Sequence, residues 1–254
     1  MAFGVLIIGD EILSGRRQDK HLPKAIELLK ARGLSLSWAR YCGDERPLLT
    51  EMLRQTFASG DVVFSFGGIG ATPDDHTRQC AAAALGVDIA LHADAEREIR
   101  ARFGEEANPQ RLMMGELPVG SHIIPNPYNR IPGFGIRGHW FLPGFPEMAW
   151  PMMEWVLDTQ YSHLHHAQPW AEDSIAVLHT HESQLLDLMN AWQARFGVTI
   201  FSLPSLGSTT GRRHIELGAK GAPDDVTAAM AAMREDMTRH GHPWCEMAAL
   251  HDAV

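Results

Sequence analysis

The sequence predicts an α/β fold in three layers, a mostly parallel sheet between helices, followed by a second, smaller α+β domain. Three observations predict it. Apolar runs and helical repeats alternate at short spacing through the first third of the chain, as they do when crossover helices join parallel strands. Val5–Ile8 and Val62–Phe66 are nearly continuous apolar runs, the pattern of strands buried on both faces. Past a polar stretch near 159–170 the order changes to strand, helix, strand, strand, helix, a small α+β unit.

Each element follows from local pattern. Val5–Ile8 is a strand ending at Gly9. Leu22, Ala25, Ile26 and Leu29 recur at helical spacing, with Gly33 placed to end that helix. Leu34, Leu36 and Trp38 alternate with serines as a half-buried strand. Pro47 opens a helix carrying Leu49, Met52, Leu53 and Phe57 on one face, with Gly60 behind it. A strand at Asp61–Phe66 runs into a glycine loop, and a helix follows over Arg78–Leu85. Ala93–Phe103 reads as a charged helix, and the remainder to Gly138 as loop or insertion with one or two short strands such as His122–Ile124. Trp140–Leu142 is a strand, Pro143–Glu147 a turn, and Met148–Leu157 a closing helix. The expected domains are 1–162 and 172–245. The second has strands at Ser174–His179, Val198–Leu203 and Arg213–Gly218, the last two flanking a loop at Ser205–Arg212. Its first helix carries Leu185, Leu188, Met189, Trp192 and Phe196. Its last begins at Pro223 and aligns Val226, Ala229, Met230, Met233 and Met237, a methionine stripe that reads as core.

Composition narrows the function. The 254 residues carry a net charge of −9, which argues against nucleic-acid or anionic-membrane binding, where a basic surface supplies affinity. Residues 172–254 hold six Lys/Arg against eleven Asp/Glu, so the small domain offers no basic face either. Cys42, Cys80 and Cys245 are scattered and odd in number, as expected in a reducing compartment. The start lacks a basic signal-peptide region, and no apolar run reaches the ~20 residues of a membrane helix. A cytoplasmic protein is expected. His163, His165 and His166 read as a solvated linker.

Gly67-Gly68-Ile69-Gly70-Ala71-Thr72-Pro73-Asp74-Asp75-His76-Thr77 carries the chemistry. Glycines between a strand and a helix let backbone N–H groups approach an anion. Asp74 and Asp75 would repel a bare phosphate, so a phosphate there calls for a divalent cation. The same residues also make a well-capped tight turn, and the stretch alone leaves both readings open. It is neither a dinucleotide fingerprint nor a P-loop, since the third glycine and the Gly-Lys-Ser/Thr are missing.

Further marks accompany this loop: Gly9-Asp10-Glu11-Ile12-Leu13-Ser14-Gly15 with Gln18-Asp19, Ile124-Pro125-Asn126-Pro127, Pro132-Gly133-Phe134, and Leu142-Pro143-Gly144-Phe145-Pro146-Glu147-Met148. Over about residues 3–160 the set resembles the molybdopterin-cofactor-biosynthesis domain, a molybdopterin-binding-like fold. The variant it is most similar to opens the competence-damage-inducible protein A family, and the N-terminal domain of eukaryotic FAD synthases is also similar. The tail looks like that family's small second domain. Neither the amide-hydrolysing domain nor the adenylyl-transferring domain of these relatives is recognisable, so neither activity is expected.

The resemblance implies a nucleotide or pterin ligand (molybdopterin among them), a divalent cation such as magnesium, manganese or cobalt, and a homo-oligomer, dimer or trimer. It implies metal-dependent pyrophosphate hydrolysis of ADP-ribose- or FAD-like dinucleotides, or, as the alternative, binding without turnover. Carried over, Asp75 and Glu11 would be catalytic, and Asp75, Asp74 and Glu11 would hold the metal. Gly9, Asp10, Gly67, Gly68, Gly70, Thr72, Thr77, Gly144 and Glu147 would contact the ligand. Arg111 and Arg130 could take an outer phosphate or lie free on the surface. Lys20-His21 departs from the hydroxyl residue and asparagine usual after Asp19, Ala71 from a common proline, and Asp10 from the threonine of many bacterial members.

Overall fold

The computed structural model describes residues 2–167, 170–206 and 213–251. They fall into two compact units, Met1–His165 and His166–Val254. The first unit opens with strand β1 (Phe3–Ile8), the short helix α1 (Asp10–Leu13), α2 (His21–Lys30), β2 (Leu36–Cys42), α3 (Arg46–Ser59), β3 (Val62–Phe66) and α4 (Thr77–Leu85). There follow β4 (Ile89–Leu91), α5 (Ala93–Phe103), α6 (Pro109–Leu112), β5 (Glu116–Pro118), β6 (His122–Ile124), β7 (Gly133–Ile136), β8 (His139–Leu142) and α7 (Pro146–Gln160).

Six strands form one sheet in the order β2-β1-β3-β8-β7-β6. The β1–β2, β1–β3 and β3–β8 pairs are parallel, and β7 alone runs against its neighbours. Side-chain alternation sorts the central strands into two cores. Phe3, Val5 and Ile7 of β1, with Phe64 and Phe66 of β3, pack on Ala25, Leu28 and Leu29 of α2 and on α7. Leu6, Ile8 and Val63 face Leu49 and Leu53 of α3, Cys80 and Ala81 of α4, and Ala95 of α5. This is the three-layer arrangement.

Several boundaries move. Helix α2 ends in a left-handed turn at Gly33 (φ 70°), where the Leu34 N–H reaches the Leu29 carbonyl at 2.9 Å. That turn consumes Leu34, so β2 starts at Leu36 and runs on to Cys42. The stretch expected as loop holds β7, a full strand of the main sheet, hidden in sequence by Pro132, Gly133 and Gly135. Gly135 is there for space, because a Cβ would collide with the Trp140 ring. A two-stranded antiparallel ribbon, β4 with β5, was also not foreseen; each strand has only three residues. Asp74 and Asp75 lie in the turn before α4 rather than in its first turn, which starts at Thr77.

The second unit contains β9 (Ala171–Leu178), α8 (Glu182–Phe196), β10 (Thr199–Ser205), β11 (His214–Gly221), α9 (Pro223–Arg239), β12 (Trp244–Glu246) and α10 (Met247–His251). Its sheet, β10-β11-β9-β12, is antiparallel throughout. Ile175, Val177, Ile215 and Leu217 pack on Leu185 and Trp192 of α8 and on Met230, Met233 and Met237 of α9. The methionine stripe is core. Strand β12 and helix α10 extend the expected unit, and most of the loop expected at Ser205–Arg212 lies outside the described residues. No helix among the described residues is long and apolar enough to cross a membrane.

Candidate functional site

Strands β1, β3 and β8 end at one edge of the main sheet, and each is followed by glycine or proline: Gly9, Gly67-Gly68 and Pro143-Gly144. Because β7 reverses the direction once, β6 ends at the same edge and delivers Pro125-Asn126 there. Ligands of parallel sheets bind outside this edge. The loops surround a cleft of about 690 Å³.

One wall is the glycine loop. Gly67 (φ 108°) donates its N–H to the Leu142 carbonyl at 3.0 Å, and a Cβ on it would strike the Ile8 carbonyl oxygen. Gly68 (φ 68°) leaves room for the Thr77 hydroxyl, which donates to the Gly67 carbonyl at 3.0 Å. These contacts draw the ends of β1, β3 and β8 together. They leave the N–H groups of Gly68, Ile69, Gly70 and Ala71 without a partner among the described residues, on a loop that lines the cleft. Consecutive unpaired N–H groups of this kind form an anion-binding concavity.

The same cleft is also acidic. Glu11, Asp44, Asp74 and Asp75 line it. Asp44 went unrecognised in the sequence. Its Oδ2 accepts from the Asp10 N–H at 2.9 Å, while its own N–H donates to Asp10 Oδ1 at 3.2 Å. Burial pushes the Asp44 carboxyl above its ordinary range, and the like charges of Asp10, Glu11 and Asp74 push it further. Asp75 Oδ2 accepts from both the Thr72 N–H at 2.8 Å and the Thr72 hydroxyl at 2.5 Å.

The cleft brings together Gly9, Glu11, Gly67, Gly68, Gly70, Thr72, Asp74, Asp75 and Gly144 of the expected residues. Three others stand elsewhere. Asp10 faces Asp44 as a strut, Thr77 is fully buried under Gly67, and Glu147 is exposed outside the cleft lining. Thr72 lines the cleft with its N–H and hydroxyl already committed to Asp75. Arg111 pairs with Glu106 at 2.7 Å and Arg130 with Glu98 at 2.9 Å, away from the cleft. Its cations are instead Arg16 and Arg17, carried by the turn after α1. They sit inside the first motif, between Gly15 and Asp19, and their position there was the available signal. Met114, Ile131, Phe145 and Met148 make an apolar end. Asn126 folds the 125–132 loop over it, donating to the Ile131 carbonyl at 2.9 Å and accepting from the Tyr128 N–H at 3.0 Å.

His21, one of the two departures after Asp19, is a buried support. Its ring stacks on Phe66 with centroids 4.5 Å apart, and Nε2 donates to the Gly144 carbonyl at 3.1 Å. Burial holds its pKa below the ordinary histidine value. The neutral ring then leaves Nδ1 as a buried acceptor with no donor.

Among the described residues no three His, Cys, Asp or Glu side chains converge as a ready-made metal cage. The carboxylates lining the cleft offer hard oxygen donors, and Asp44 feels the like charges of Asp10, Glu11 and Asp74. Such a set fits a hard divalent cation that takes its remaining ligands from phosphate oxygens and water.

Residues 4–163 match a family described as the probable molybdopterin binding domain. A CinA-like protein of Anaeromyxobacter sp. (strain K) is 34% identical over 165 residues, covering 62% of this chain and 40% of that protein. A CinA-like protein of Syntrophotalea carbinolica is 33% identical over 161 residues, 60% of this chain and 39% of its own length. The matches thus span about two fifths of these curated relatives. The crystal structure of the protein CinA, of unknown function, from Thermoplasma acidophilum superposes with a TM-score of 0.57 at 27% identity, over 62% of this chain and 98% of that one.

Proposed function

The chain belongs to the molybdopterin-binding domain family, and from that premise we propose that its cleft takes a nucleotide- or pterin-type diphosphate and hydrolyses the phosphoanhydride bond with a divalent cation. The observation that carries this reading is the presence, in one cleft, of four backbone N–H groups without a partner among the described residues and of the carboxylates Glu11, Asp44, Asp74 and Asp75. Peptide N–H groups at Gly68–Ala71 bind the oxygens of one phosphate and stabilise charge that grows on them. Arg16 and Arg17 face an outer phosphate. The apolar end at Met114, Ile131, Phe145 and Met148 receives a planar ring. A divalent cation taking one or two ligands from Glu11 and Asp75, and the rest from phosphate oxygens and water, would neutralise phosphate oxygens and supply an activated water. Asp44, held by the Asp10 N–H and lining the same cleft, would be the carboxylate placed to take up a proton released there.

The test is incubation with ADP-ribose or FAD in magnesium, manganese or cobalt, with AMP as the product followed. Asp75→Asn should reduce turnover by about 100-fold or more. Absence of metal-dependent turnover over a blank, with the whole panel, sinks the hydrolase reading. The second reading, retention of the ligand without turnover, is favoured by one observation: the Asp75 oxygen facing the loop is already satisfied by Thr72. It predicts a ligand-dependent rise in Tm with no product. Self-association as a dimer or trimer belongs to the same proposal and is read by light scattering.

A further inference from the structure

We propose that Arg78 is a positioning residue for the anion: its buried positive charge, held behind the glycine loop, lets that loop bind a diphosphate even without a divalent cation. The inference rests on reading the cleft as a phosphate site.

Arg78 is the second residue of α4 and is 2% exposed. A buried guanidinium is normally matched by a carboxylate. Here its acceptors are backbone oxygens alone: Gly70 from Nη2 at 2.6 Å, and Met113 and, at 3.5 Å, Glu116 from Nη1. The Nε–H has no acceptor among the described residues. Asp75 and Glu116 act on it through space without an ion pair, and burial lowers its pKa. The charge therefore lies under the loop without a touching counter-ion.

Its bond to Gly70 also sets the direction of the loop's donors. No peptide bond among the described residues is cis, and in a trans peptide the carbonyl and the following N–H point opposite ways. Drawing the Gly70 oxygen toward the buried guanidinium turns the Ala71 N–H away from it, and Ala71 lines the cleft. The carbonyl that would repel an anion is withdrawn while the donor is presented. A cation behind a thin peptide layer, with low-dielectric walls around it, acts on a docked phosphate with little screening. Glu11, Asp44 and Asp74 in the cleft lining oppose this, as does Asp75, whose Oδ2 lies against Gly70 and accepts from Thr72; the buried charge of Arg78 offsets them from behind the loop.

A role confined to tying α4 to the 113–116 segment would leave anion affinity indifferent to the charge at position 78. The full chain is titrated calorimetrically with inorganic pyrophosphate, in EDTA and in magnesium, as wild type, Arg78→Gln and Arg78→Lys, with Tm recorded for each. The wild type should bind in EDTA. Arg78→Gln should bind about tenfold more weakly there, with a shallower salt dependence, while Arg78→Lys, which keeps the charge, recovers most of the affinity. Equal affinity of the wild type and Arg78→Gln, or equal losses in both variants, would overturn the proposal. So would wild-type binding that needs magnesium, an outcome read without any variant, and it would leave the phosphate reading standing. No pyrophosphate binding under either condition removes the phosphate reading itself.

Discussion

His21 and Asp44 show how single side chains set the stability of the cleft. His21 joins the start of α2 to Phe66 and to the Gly144 carbonyl, so His21→Ala removes a ring contact and leaves an acceptor short of its donor. A loss of about 1–2 kcal/mol is expected in urea unfolding, together with weaker ligand binding as the Gly144 turn loosens; unchanged unfolding would show that the ring supports nothing. Asp44 carries the opposite sign. Its folded pKa is raised, so its contribution to stability is present at low pH and is lost as pH rises through that pKa. Asp44→Asn should raise Tm at pH 7, leave it nearly unchanged at pH 3, and weaken divalent-cation binding. A lower Tm at pH 7 would contradict the like-charge crowding. The glycines of the site and the carboxylates Glu11, Asp74 and Asp75 were legible because their types and order are tied to backbone approach and charge. Asp44, Asn126 and Arg78 were not, because their roles come from long-range contacts such as Arg78 with Gly70, Met113 and Glu116, which no local spacing encodes.

Elements were legible where the apolar pattern has one cause. Strands β1 and β3 are buried on both faces, and α3 presents Leu49 and Leu53 to one core, so each announces itself by composition. β7 has a different cause behind each residue: Gly135 clears space for Trp140 while Phe134 stacks on Phe141 at 4.4 Å. Its composition is that of a turn, and pairing with β8 makes it a strand. The junction from β3 to α4 makes a test at this scale. Gly68→Ala places a side chain at φ 68° and against the Thr77 hydroxyl, at a cost of about 1–3 kcal/mol. Thr77→Val, which keeps the shape and deletes the bond to the Gly67 carbonyl, should cost about 1 kcal/mol. Chemical denaturation of the two variants separates backbone strain from the hydroxyl, and equal losses would mean that the φ angle is not the limiting factor.

Across the whole molecule, acid stability draws on buried histidines, and His139 has the largest shift among them. His139 begins β8, hydrogen-bonded at 2.9 Å between Nε2 and the Thr56 hydroxyl, and burial lowers its pKa to about 4. The unfolded chain takes up that proton near pH 6.5, so the native state loses stability as pH falls from about 6.5 to 4, by about 3 kcal/mol in all, and levels off below. Urea midpoints at pH 7, 5.5 and 4 measure this, and His139→Gln should flatten the slope. A slope unaltered by that change would place the acid sensitivity elsewhere. The connection from β6 to β7 carries a different consequence. Three of the cleft's boundaries lead from a strand into a helix packed on the core, and altering their length would shift that helix. Residues 125–132 instead leave and re-enter neighbouring antiparallel strands at the same sheet edge, with Asn126 as their internal staple. That hairpin is where descendants of this chain can gain or lose residues, and so reshape the apolar end of the cleft, while the glycine loop is inherited intact.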